Sequence, residues 1–428
     1  MAEVLRQIIS RNRAGHAAAI PSVCSAHPDV LRASLLLAAE LGRPIVIEAT
    51  SNQVNQDGGY TGQRPADFIA SVRALAHECG LGPDQVVFGG DHLGPQVWRK
   101  GPAEAAMAKA RVLVADYVRA GFTKIHLDCS EGCAGEAAQV GDALAASRAA
   151  ELAAACEDAA EGAGPLYVIG TEVPPPGGAR HDIAEGAAPT TPAHASATIA
   201  AHRAAFAAAR LDGAWDRVVG LVAQPGVEFG PMQVQHLDMG RDPGLRAAVE
   251  TVPGLCLEAH STDYQHAVAY PRLARLGFAF QKVGPALTFA WREAIYALDH
   301  LRAIAGRAPA EGLPEVMERL MLAAPGAWQG HYHGDAAALR LQRHFGYADR
   351  IRYYWPHPEA ARAVAALLHD VSAMSLPAPV LSQGFDAATM DRAEGLMGAT
   401  GGNRPRALLL AAVQQALAPY YFPQEGTA

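Results

Sequence analysis

No apolar run in the sequence approaches the ~20 residues that a membrane span requires. The opening MAEVLRQIISRNRAG reads as an amphipathic helix carrying a carboxylate, where a secretory signal would show an apolar core and a small-residue cleavage site. There is no GxxxxGKS/T phosphate loop, and no GxGxxG follows a strand-like run, which removes the usual support for kinase and nucleotide-redox chemistry. A basic stripe is missing too. Lys and Arg are scattered, 35 against 43 Asp and Glu, so neither a nucleic acid nor a membrane surface is the expected partner. The six cysteines (Cys24, Cys79, Cys129, Cys133, Cys156, Cys256) are too dispersed for a disulfide framework, and CxxxC at Cys129 and Cys133 lacks the second pair that a metal site would want. They suit packing in a reducing cytoplasm.

What the sequence does have is a rhythm. Eight short β-rich runs alternate with Ala-rich helical stretches: AAIPSVCS ending near Ser25, Pro44 to Thr50, Val86 onward, Thr123 to Ser130, Pro165 to Glu172, Arg217 to Gln224, Gly254 to His260 and Phe278 to Gly284. Strands alternating with helices imply right-handed crossovers and a parallel sheet. Eight units in under 300 residues predict a (β/α)8 barrel over about residues 1–286; an open doubly wound sheet is the rival. After residue 286 the rhythm stops, and helical runs around Glu315 to Leu322, Glu359 to His369 and Ala407 to Leu417 flank an aromatic segment, RIRYYWPHP. This predicts a mostly helical extension over 287–428, packed on the barrel or forming an oligomer interface.

The polar groups gather at one end of the predicted strands. Ser22, Ser25, Glu48, Asp91, His92, Asp128, Glu172, Gln224, Glu258, His260 and Lys282 all fall at or near C-terminal strand ends, the face where barrels of this kind carry their active sites. Imidazole nitrogens with carboxylate oxygens form a ligand set for Zn, Mn, Fe or Ni. In VVFGGDHLGP, Asp91 and His92 are adjacent, so on a straight strand they point to opposite sides and can serve one site only where the chain turns. His92 is the better ligand there and Asp91 the better acid/base. Glu258 and His260 share a face; Glu258 is either a ligand or the partner of a buried cation such as Lys282. Asn52 and Gln53 lie in a polar loop, Ala49 to Gly62, whose amides and hydroxyls suit a sugar. Asp128 is expected to support the imidazoles or to stand in as the base.

The segments SVCSAHP, IEATSNQVNQDGGYTG, GGDHLGP, GFTKIHLD, YVIGTEVPPPGG, QPGVEF, EAHSTDYQ, KVGPALTFAWREAI and DRIRYYWP resemble those of the GatZ/KbaZ family of tagatose-bisphosphate aldolase subunits. That family is in turn similar to class II aldolases. The resemblance implies Asp91 as acid/base, His92 and His260 as metal ligands and Glu172 approaching the metal, with zinc the expected ion and Mn or Ni the alternatives. Ser25, Glu48, Asn52, Gln53, Gln224, Ser261, Asp263 and Lys282 are expected around a ketose or ketose phosphate. Two departures stand out. Gln224 occupies a position where a class II aldolase has a ligating His, and HSTDYQ and VGPALTF lack a Gly-Ser-rich phosphate nest. The implied role is a cytoplasmic, oligomeric subunit that stabilises and activates a separate class II aldolase chain. The alternative is a stand-alone, metal-dependent ketose 4-epimerase acting on fructose or tagatose.

Overall fold

The computed structural model describes residues 2–170 and 187–424. Eight parallel strands close into a barrel: β1 (Ile20–Cys24), β2 (Ile45–Thr50), β3 (Val86–Leu93), β4 (Lys124–Leu127), β5 (Leu166–Ile169), β6 (Val218–Val222), β9 (Cys256–Ala259) and β10 (Phe278–Val283). The ring runs in chain order, with β10 pairing back onto β1. A two-stranded antiparallel hairpin, β7 (Glu228–Phe229) and β8 (Val234–Gln235), rises between β6 and β9. The predicted barrel is the observed fold, and each observed strand lies inside the run predicted for it.

One end of the barrel is plugged. Leu5, Ile8 and Ile9, on the buried face of the N-terminal helix Ala2–Arg13, pack on Ile20, Val46, Val87, Leu166, Val219 and Phe280, near the starts of their strands. Apolar side chains fill this end, and the polar residues collect at the other.

Beyond β10 the chain is helical. Helix Pro285–Ile304 starts where the sequence reading ended the barrel, and Leu313–Ala323, Ala336–Phe345, Pro358–Ser372, Ala387–Leu396 and Arg404–Leu417 follow. Arg404–Leu417 packs on Pro285–Ile304 and on the first barrel helix, Pro28–Glu40. The join is partly polar. Arg406 grips Asp29 Oδ1 through Nε (3.0 Å) and Nη2 (2.6 Å), while Asp29 Oδ2 accepts from Trp291 Nε1 (3.1 Å). Gln414 Nε2 donates to the Ala33 carbonyl at 3.0 Å. No helix among the described residues is long and apolar enough to cross a membrane.

Candidate metal centre and active site

The GGDH stretch reaches the barrel mouth through a bulge. Gly90 pairs with Ile125, but Leu93 pairs with Leu127, so β3 spends one residue more than β4 over that interval. The turn falls on His92 itself, whose φ is +47°, rather than on the flanking glycines. Asp91 and His92 therefore reach one site. The glycines supply room instead: a Cβ on Gly94 would lie 1.8 Å from the Asp128 carbonyl oxygen, and one on Gly89 would lie 2.5 Å from Glu48 Oε1.

Asp91, His92, His126 and His260 present ligand atoms that all lie within 4.8 Å of one another, and all four are buried. The three imidazoles form a triangle with ring centres 5.0, 4.8 and 5.3 Å apart. Each ring is oriented from behind. His92 Nδ1 donates to Asp128 Oδ2 (2.7 Å), which turns Nε2 toward the centre. His260 Nε2 donates to Glu258 Oε1 (2.9 Å), and His126 Nε2 donates to the Gly170 carbonyl (2.9 Å). His126 Nδ1, left unprotonated by that bond, accepts the His92 amide (3.2 Å) and lies 3.0 Å from Asp91 Oδ1. Burial opposes charge on His126, yet the neighbouring Asp91 carboxylate raises its pKa. At His260 burial wins and lowers the pKa to about 3, keeping that ring neutral as a ligand must be.

Two lysines and two glutamates sit alongside. Glu48 and Lys124 flank Gly89 in register, and their charges meet at 2.7 Å across the space its missing side chain leaves. Lys124 also reaches Glu258 Oε2 (2.6 Å). Lys282 contacts Glu48 and Asp91 Oδ1, the latter at 2.5 Å. Burial would raise the Asp91 and Glu258 pKa values, but His92 and Lys282 hold Asp91 well below the usual carboxylate range, and Lys124 and Lys282 do the same for Glu258. Asp128 is likewise lowered, against burial, by His92. Three buried carboxyl groups, Glu48, Asp91 and Glu258, thus face two lysines, and a fourth, Asp128, faces His92. With the neutral His260 and the fixed ring orientations, this donor set fits a divalent cation.

Asp91, His92 and His260 open onto a cavity that Asn52, Gln53, Ser261, Asp263 and Lys282 also line. Glu48 lies beneath it, bridging the lysines. Other expected residues are placed elsewhere. Gln224 uses its side-chain oxygen to accept the Gly226 and Val227 amides (2.8 and 2.9 Å), and it does not line this cavity. Ser25 accepts from the His27 amide (3.3 Å) and lines a neighbouring groove. Glu258 is outside the four-donor group and carries His260 instead. Glu172 lies outside the described residues. All six cysteines are free thiols, and Cys24 Sγ donates to Asp91 Oδ2 at 3.3 Å.

The sequence reading missed His126 and Arg352. The signal for His126 is the alternation of Lys124 and His126 in β4 with Asp128 just past its end, polar side chains at every second position of a buried segment. Arg352 lines the cavity from the segment Arg350–Tyr354, far beyond the last strand, and nothing in its local sequence points back to the barrel.

The GatZ/KbaZ-like model of D-tagatose-1,6-bisphosphate aldolase subunits matches residues 5–424. The chain belongs to that family. This GatZ/KbaZ-like chain is 49% identical over 425 residues, 98% of each chain, to a D-tagatose 6-phosphate 4-epimerase of Agrobacterium fabrum. It is also similar to a crystal structure of a probable tagatose 6 phosphate kinase from Sinorhizobium meliloti 1021, with 46% identity and a TM-score of 0.83, covering 94% of this chain and 99% of that one.

Proposed function

We propose that this GatZ/KbaZ-like chain is itself a divalent-metal-dependent epimerase that inverts C4 of a phosphorylated ketohexose of the tagatose 6-phosphate type. The observation that carries the reading is the intact, buried set of Asp91, His92, His126 and His260, with Asp91 held ionised beside it. A site retained only as scaffolding has no need of three imidazoles, each oriented by its own hydrogen bond. The similarity to the Agrobacterium epimerase supports the same reading.

In this reading His92, His126 and His260 hold the ion, zinc by the softness of its nitrogen donors. An ion held there would supply Lewis acidity to the reaction. Asp91 moves the proton. Its Oδ1 is committed to Lys282, so Oδ2, opposite the weak Cys24 thiol donor, is the atom that takes the C4-hydroxyl proton. With that proton removed, the C3–C4 bond cleaves with its electron pair remaining on C3, beside the carbonyl. The aldehyde fragment rotates, the bond re-forms on its other face, and Asp91 returns the proton. Asn52 and Gln53 supply amides to hold sugar hydroxyls.

The test is direct. Incubating the purified chain with Zn, Mn or Ni and D-tagatose 6-phosphate should yield D-fructose 6-phosphate, read by carbon NMR. A folded, metal-loaded chain that gives no C4 epimer with any of the three ions refutes the reading. The family's description as an aldolase subunit favours a second role, support of a separate aldolase chain. That role predicts silence in the assay alone and a gain in aldolase activity on mixing.

A further inference from the structure

A phosphorylated substrate needs a cation or a cluster of amides at its far end. In many barrels that place is the N-terminus of the helix after the last strand. Here it is filled: Asp263 Oδ1 accepts the amides of Gly284 (3.0 Å) and Ala286 (2.8 Å), at the start of helix Pro285–Ile304. A phosphate would have to displace a carboxylate built into the fold. Among the described residues, the remaining cations on the cavity wall are Lys282 and Arg352. Lys282 is already matched by Glu48 and Asp91.

Arg352 is different. Its Nη1 donates to the carbonyls of Ala348 (2.5 Å) and Asp349 (3.0 Å), and Nη2 donates to the Tyr353 hydroxyl (3.3 Å). These bonds fix the guanidinium plane yet use three of its five N–H groups. The Nε–H and one Nη2–H have no acceptor among the described residues, and no carboxylate forms an ion pair with this side chain there. Tyr353, beside it in the same wall, lies under both Arg352 and Arg350, with guanidinium carbons 4.7 and 5.0 Å from the ring centre. Tyr60, from the loop after β2, meets the Tyr353 ring edge-on at 4.7 Å. The result is a rigid, positively charged wall contributed by the region after the barrel, on the same cavity as the candidate metal centre.

We infer that Arg352 is the anion-binding, specificity-determining residue of this cavity, gripping the phosphate of a phosphorylated ketose while the barrel residues act on the sugar. The inference rests on the proposed function and names where that substrate's phosphate is held. An oriented guanidinium with free N–H groups suits a phosphate's oxygens.

The experiment compares D-tagatose 6-phosphate with D-tagatose, as binding by calorimetry and as kcat/KM, in metal-loaded wild type, Arg352→Met and Arg352→Lys. Wild type should prefer the phosphorylated sugar. Arg352→Met should weaken that sugar by roughly 10–100-fold while changing D-tagatose little, so the ratio between the two collapses. Arg352→Lys restores the charge without the planar fork and should fall between. It also covers the case in which Arg352→Met does not fold, because loss of the two carbonyl anchors alone would lower both sugars alike. A preference for the phosphate that is unchanged in Arg352→Lys and Arg352→Met overturns the role of Arg352 alone. Wild type that binds both sugars equally overturns the inference, whether or not it epimerises either. Wild type that prefers the phosphorylated sugar through Arg352 but makes no C4 epimer leaves this inference standing and refutes the catalytic reading.

Discussion

Asp91 and Asp128 are two carboxylates lowered by their surroundings for different ends. Asp91 faces the cavity, so Asp91→Asn removes a proton acceptor while keeping shape; epimerase turnover should fall by at least ~10²-fold, with the circular dichroism spectrum and metal content retained. Undiminished turnover would take Asp91 out of the chemistry. Asp128 acts through His92. Asp128→Asn should therefore weaken metal binding by roughly 10–100-fold, measured by competition with a chelating dye, and activity should return when excess metal is supplied. At this scale the sequence showed the Asp-His pair, because two ionisable groups after a glycine pair are conspicuous. It hid the bulge that unites them, which depends on the pairing of β3 with β4 and on the positive φ of His92.

Among the elements, the first barrel helix carries a pH-dependent contact. His27 precedes helix Pro28–Glu40, its ring lies 4.3 Å from that of Trp291, and its Nδ1 is buried without a hydrogen-bond partner among the described residues. Burial lowers its pKa to about 4, with Asp29 pulling up and Arg406 pushing down. Below about 6.5 the unfolded chain takes up a proton at this histidine that the folded chain refuses. Stability should therefore fall as pH drops from 6.5 toward 4. His27→Gln should reduce that loss, seen as a smaller shift of the urea midpoint between pH 7 and pH 5 than in wild type. Strand and helix positions were legible because the barrel's β-rich and Ala-rich runs alternate without interruption. The side chains projecting from them were less so: Gln224 and Glu258 stand at strand ends as expected, but their hydrogen bonds turn one to its own loop and the other to His260.

On the scale of the whole molecule, the region after residue 286 reads in sequence as a helical extension, packed on the barrel or forming an oligomer interface, and in three dimensions it coats the barrel. Arg404–Leu417 covers Pro28–Glu40 and Pro285–Ile304, and Tyr420 bonds to Thr262 in the loop after β9 (3.0 Å to its carbonyl). A chain ended before residue 404 would strip buried Leu408, Leu409, Leu410 and Val413 from that surface. It should lose cooperative unfolding in calorimetry and aggregate, whereas the full chain should unfold in one transition. Periodicity identified the helices there, but no local pattern says which surface an amphipathic helix will cover.

The bond between Asp29 and Arg406 spans 377 residues of chain. At a synthesis rate of about 5–20 residues per second, the first barrel helix waits roughly 20–75 s on the ribosome before its permanent cover exists. For that interval the face of Pro28–Glu40 that Arg404–Leu417 covers stays open on a half-made barrel. Rapid overexpression multiplies the number of chains in that condition at once, so slower translation or added holdase chaperone should improve soluble yield more than any change to the finished protein's stability.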